Sequence, residues 1–148
     1  MEIKTDIKIS PELFRLGERI EEAIETGLLR AAGAVEAAVV EEAPKSKPKG
    51  GNLADPIRKY LSLGEKKAII TATAPYSIFV HQGTGIYGPS GQPFQIRAKN
   101  KMALFWPGAK HPVKSVTPRG QKPNPFMNRA LDKVKDRLPG IFSQAINE

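Results

Sequence analysis

His81, His111 and Tyr76 are the side chains best suited by type to acid–base or nucleophilic chemistry, and a nuclease-like His–Lys–Tyr site could be assembled from them. Such chemistry needs a partner that holds the imidazole in a chosen tautomer and tunes its pKa. No carboxylate occurs between Glu65 and Asp132, the stretch that contains both histidines. Zinc asks for three or four ligands at short spacings such as His-x-x-x-His. The two histidines stand thirty residues apart, and the chain has no cysteine to act as thiolate ligand, nucleophile or disulfide partner. Gly50-Gly51-Asn52 lacks the Gly-Lys-Ser/Thr ending of a phosphate loop and follows no strand. Catalysis, a metal and a cofactor are therefore not expected, and both histidines read as surface or turn residues.

Binding is the stronger theme. Residues 1–42 carry five Lys/Arg against ten Asp/Glu, whereas the remainder carries 18 against five. Arg97, Lys99, Lys101 and Lys110 flank Phe94, Phe105 and Trp106, a mixture of cations and aromatics that suits stacked bases and phosphates. These four are the candidate DNA-facing residues, although alternating aromatics in a hairpin more commonly face inward. The same polarity suits head-to-tail contact between copies, the acidic half of one meeting the basic half of the next.

The elements that must position these residues follow from periodicity. A chain of 148 residues with 40% apolar content predicts one domain with a real core. No stretch approaches the ~20 apolar residues of a membrane span, so a soluble, non-secreted protein with no membrane partner is expected. Ile3, Thr5, Ile7 and Ile9 alternate as in a short strand or extended arm. Ser10-Pro11-Glu12 is a helix start, with Ser as cap and Pro in the first turn. Apolar residues from Leu13 to Val39 then keep a 3.6-residue period, predicting a long helix over about 11–42 that Pro44 ends. Residues 44–56 read as a flexible loop, in which Lys45, Lys47, Lys49 and Asn52 are candidates for partner contact. A sheet region is expected over about 57–116, with strands at Ile57–Leu63, Lys67–Thr73 and a hairpin of Phe94–Arg97 with Ala103–Trp106. A C-terminal helix is expected over about 125–146, capped by Asn124 and interrupted at Pro139-Gly140.

The stretch from Pro75 to Gly85 joins the two electrostatic halves. Tyr76, Phe79 and Val80 share one face of a helical turn and are expected to seat it on the core beneath the long helix. Gly83, Thr84 and Gly85 then launch a loop toward a neighbouring subunit, so that Gly83→Val is expected to harm assembly more than folding.

Several segments together resemble one family. Glu41-Glu42-Ala43-Pro44 ends the long helix and leads to Asn52-Leu53. Pro75-Tyr76-x-x-Phe79-Val80-x-x-Gly83-Thr84 follows a strand, and His111-Pro112 precedes Lys122-Pro123-Asn124-Pro125-Phe126-Met127-x-x-Ala130-Leu131. Over roughly residues 35–135 this order resembles the tail-component or tail-completion (head–tail joining) proteins of long-tailed bacteriophages. The chain departs from the family pattern where Gly51-Asn52-Leu53 replaces Thr-Gly-x-Leu, and at His81-Gln82 where an acidic residue is usual. The resemblance implies an α+β fold, with the long N-terminal helix and the C-terminal helix packed on a small, mainly antiparallel sheet. It implies a self-associating ring, commonly a hexamer, located in the virion at the neck and assembled in the host cytoplasm. Its partners would be the head-connector protein and the tail tube protein, with non-specific DNA contact in the channel. Interface candidates are then Tyr76, Phe79, His81, Gly83, Thr84, Gly85, Pro125 and Phe126. The alternatives from residue chemistry remain a basic nucleic-acid-binding protein and a small nuclease-type hydrolase.

Overall fold

A computed structural model describes residues 11–45 and 53–148, with side chains from Arg15 onward in the first helix. The arm over residues 1–9, the Ser10 cap, and Lys47, Lys49 and Asn52 lie outside the described residues. The elements are α1 (Pro11–Glu42), β1 (Ile57–Ser62), β2 (Lys67–Ala72), α2 (Ser77–Gln82), β3 (Ile96–Arg97), β4 (Ser115–Val116), α3 (Phe126–Val134) and α4 (Leu138–Asn147). The fold is α+β, and both of its two-stranded sheets are antiparallel. The chain divides into two compact units, a helical unit of Met1–Ala72 with Ala130–Glu148 and a loop unit of Thr73–Arg129; the division falls inside α3.

In the helical unit, α1 runs 32 residues, about 48 Å at 1.5 Å per residue. Its buried face carries Ala31, Ala32, Ala38 and Val39. α4 crosses it closely at Gly27, where the Phe142 ring occupies the space a Cβ would need, whereas Gly33 meets no such neighbour. β1 and β2 form the expected hairpin, with Ile57 opposite Ala72 and Tyr60 opposite Ile69. Side chains alternate across a strand, so Ile57 and Lys59 share one face, where Lys59 Nζ reaches Glu36 Oε2 of α1 at 2.7 Å. Tyr60 and Ile69 form an exposed pair on the other. Leu53 is fully buried, which anchors the end of the long loop.

The C-terminal helix breaks earlier than expected. Lys135–Arg137 form one tight turn in which the Leu138 N–H bonds to the Lys135 carbonyl. In a continuous α-helix that carbonyl would face residue 139, but proline has no N–H, and its ring would clash there. Pro139 instead occupies the first turn of α4, where no helical partner for an N–H is needed.

In the loop unit the predicted hairpin of Phe94–Arg97 with Ala103–Trp106 does not form. β3 pairs with β4, Ile96 opposite Val116 and Arg97 opposite Ser115. Leu104 bridges Val113 through two backbone hydrogen bonds of 2.7 and 3.0 Å. The extended segment 113–116 thus serves as the partner of both predicted strands. Phe105 and Trp106 lie exposed rather than inward. Pro107 and Gly108 follow them directly, and proline cannot donate to a ladder.

Candidate interface groove

α2 begins after Pro75, whose fixed φ suits the turn that leads into the helix. The Ser77 N–H bonds to the Ala74 carbonyl, and the N–H groups of Phe79 and Val80 both reach the Tyr76 carbonyl. Tyr76 and Phe79 are not seated on a core: both are exposed, and α2 buries no residue. With only six residues, it is too short to bury an apolar stripe and hold itself by packing. Backbone contacts fix it instead. The Val80 carbonyl accepts the Asn124 N–H at 2.9 Å.

The chain next crosses a segment 35 residues away. Thr84 N–H donates to the Gln121 carbonyl and Ile86 N–H to the Arg119 carbonyl, both at 2.9 Å. Gln121 N–H in turn donates to Thr84 Oγ1 at 2.9 Å. Gly85 has φ +62° and Gly120 has φ +100°. A Cβ on Gly85 would strike the Arg119 carbonyl oxygen, and one on Gly120 would strike that of Thr84. The two backbones pass at a distance only glycine permits. Thr84 is therefore a brace as well as a surface residue, and Gly83 and Gly85 are buried.

His81 faces the start of α3. Its Nε2 lies 3.1 Å from Asn128 Oδ1. Its ring meets Phe126 edge-on, with centroids 5.7 Å apart and planes at 75°. Phe126 is completely buried and belongs to the core, not to a surface, whereas Pro125 is exposed. His111 is exposed in the loop that follows Trp106. Among the described residues no three His, Cys, Asp or Glu side chains cluster as metal ligands would.

What the turn does build is a groove of about 530 Å³, walled by Phe79, Gly83, Thr84, Gly85, Pro89 and Phe94. That volume lies in the range of small-molecule and anchor-residue pockets. No charged side chain lines it. Four interface candidates, Phe79, Gly83, Thr84 and Gly85, are brought together here. Tyr76, His81, Pro125 and Phe126 do not line it. Phe94, Gly88 and Pro89 complete the walls and are residues that interface reasoning from sequence missed. The Gly-Pro punctuation at 88–89 was the available signal.

Two cations lie on the segment that crosses this turn. Arg119 and Lys122 belong to the segment paired with Thr84 and Ile86, and Lys122 Nζ stands 5.9 Å from the centre of the Tyr87 ring. The loop unit holds eight Lys/Arg and no Asp/Glu, leaving 15 basic against 15 acidic residues elsewhere. The whole net charge of +8 therefore resides in this unit. Of the DNA-facing candidates, Arg97 donates from Nε to Gln95 Oε1 at 2.8 Å. Lys99, Lys101 and Lys110 are exposed. Lys114, whose carbonyl accepts the Ala98 N–H at 3.2 Å, is drawn beside Arg97 and Lys99 by strand pairing that no local pattern signals. Lys45 is exposed at the start of the long loop.

Part of the charge in the helical unit is paired within it. Arg30 grips Glu148 through two hydrogen bonds of 2.9 and 2.8 Å, which lowers the pKa of that carboxyl and raises that of the guanidinium. Lys66 holds Glu21 at 2.8 Å and lowers its pKa in the same way. Lys133 meets Glu42 at 2.5 Å and Glu41 at 3.4 Å, which raises the lysine's own pKa. No helix among the described residues is long and apolar enough to cross a membrane. No protein-family model, curated protein or solved structure matches the chain.

Proposed function

We propose that this chain is a structural subunit of a long-tailed phage virion, completing the tail and joining it to the head connector by closing into a ring, commonly of six copies. The observation that carries the reading is the uncharged groove built by the Tyr76–Thr84 motif on a unit that owns the entire net charge. An exposed apolar concavity on a unit rich in cations is the form of a protein interface. Among the described residues, ten of the twenty exposed large apolar ones also fall in the loop unit, from Tyr76 to Trp106, more than a 57-residue unit needs to leave in water. The motifs of Glu41–Pro44 and Lys122–Leu131 support the same family. Head connector, tail tube and other copies of the chain are the partners, the virion neck is the location, and no reaction is performed.

Sedimentation over a range of concentrations and salt, alone and with connector and tail-tube proteins from the same genome, tests this. Ring formation alone or on those partners is expected. A strict monomer under every condition that binds DNA tightly and in a salt-dependent manner would replace it with the second reading, a nucleic-acid-binding protein. That reading is favoured by the carboxylate-free surface and the exposed Phe105 and Trp106. Hydrolytic turnover abolished by His81→Ala or His111→Ala would reopen the nuclease reading.

A further inference from the structure

We infer that the segment before α1 folds back along that helix and seats Ile3 and Ile7 in an apolar groove between α1 and α4. The contact lies within one chain and holds whether or not copies assemble into a ring.

The groove measures about 440 Å³ and runs along the N-terminal half of α1. Leu16, Ile20 and Ala23 form one wall, spaced by four and three residues so that they lie along one helix face. Ala145 and Ile146 of α4 form the other. Leu16 is 50% exposed, Ile20 46% and Ile146 56%, so three large apolar side chains stand half in water around one concavity. Arg19 and Glu22 also line it, and neither carries an ion pair among the described residues.

Sequence, length and charge name the occupant. Ile3, Thr5, Ile7 and Ile9 alternate with Glu2, Lys4, Asp6 and Lys8, so an extended segment has one largely apolar row and one charged row. An extended chain rises about 3.3 Å per residue and a helix about 1.5 Å, which sets the register of a segment that turns back at Ser10. Ile7 then falls about 10 Å from the turn, level with Leu16 at about 9 Å. Ile3 falls at about 23 Å, level with Thr26 at about 24 Å. Leu16 and Thr26 are the first and last residues of α1 that line the groove, so the segment spans its length. The charged row follows in the same register: Asp6 and Arg19 both fall at about 13 Å, Lys4 at about 20 Å and Glu22 at about 18 Å. Opposite signs meet at both levels, which favours this direction of the segment. Covalent attachment also holds the segment at the groove at an effective concentration on the order of millimolar, above that of a second copy in dilute solution.

The chain has no native cysteine, so an introduced pair tests the contact without competition. In the full chain, Ile7→Cys with Leu16→Cys should oxidise to a disulfide within one chain at least about tenfold faster than Ile7→Cys with Glu18→Cys. Position 18 is almost level with position 16 but on the opposite face of the helix, and Glu18 does not line the groove. Circular dichroism confirms that each variant folds, and denaturing gels separate crosslinks within a chain from those between chains. Equal rates for the two pairs would overturn the inference. A disulfide formed only between chains would give the groove to the segment of a second copy and overturn it as well. Urea denaturation supplies an independent readout. Ile3→Ser with Ile7→Ser should lower the midpoint, and Ile20→Ser should then cost less in that background than in the native chain, because the three share one contact. Strictly additive losses would refute the contact.

Discussion

The two units of this chain hold their shape by different means. In the helical unit, side chains do the holding: Phe142 against Gly27, Ile57 and Val39 in the core, and lysines and an arginine clasping glutamates. In the loop unit the regular elements are short: α2, a 3-10 turn at Gly85–Tyr87, β3, β4 and the start of α3. Remote backbones hold it instead, with Thr84 and Ile86 bonded to Gln121 and Arg119 across two glycines. The consequence is chemical. A region fixed through its main chain leaves its side chains outside, and here those are aromatic and cationic. A region fixed through its side chains commits part of its charge to its own ion pairs.

Substitutions that separate the two modes test the contrast. Phe126→Ala removes the one large ring that the loop unit buries completely, and about 3–5 kcal/mol of stability should go with it, read by chemical denaturation. Gly120→Ala should cost about 2–3 kcal/mol or more, because a methyl group at φ +100° collides with the Thr84 carbonyl. Hydrogen exchange at Thr84 and Ile86 should quicken first; unchanged protection there would refute a main-chain brace. Gly83→Val belongs with it. Its Cβ would lie 2.8 Å from the Gln121 oxygen, so folding fails before assembly, the reverse of the sequence-based expectation. Gly17→Ala in α1 should have the opposite sign, a gain of up to about 1 kcal/mol in melting experiments, since nothing lies within 4 Å of its added methyl.

The smallest effect is titration. Glu148 and Glu21 have folded pKa values lowered by Arg30 and Lys66. A depressed carboxyl stabilises the fold fully above its unfolded pKa and loses that contribution as pH falls through the folded value. Acidification below the ordinary carboxylate range should therefore loosen α1 against α4, and the β1–β2 turn, before it affects the Thr84–Gln121 crossing. Exchange rates rising equally in both units over that range would break the comparison.

Much of the helical unit was legible because its signals are local. A 3.6-residue period, a proline stop and a β-branched run specify α1, β1 and β2 without reference to distant residues. Phe126, Ala130 and Val134 likewise mark the buried face of α3. The loop unit was legible only in its punctuation. The Gly83-Thr84-Gly85 turn was recognisable, but not that Gly120 would cross it. The pairing of β3 with β4 was hidden because strand pattern gives propensity, while partner and register depend on tertiary contacts. For the same reason Tyr76 and Phe79 looked like anchors: spacing reveals that they share a face, never what covers it.

By itself the sequence determined the charge map, since a stretch with no carboxylate stays cationic however it folds, and it determined the helices, whose hydrogen bonds close within four residues. Only the tertiary structure decided that Phe79 and Phe94 would wall one groove. The turn between them is held backbone to backbone by Arg119 and Gln121, a remote contact whose loop-closure cost no local pattern encodes.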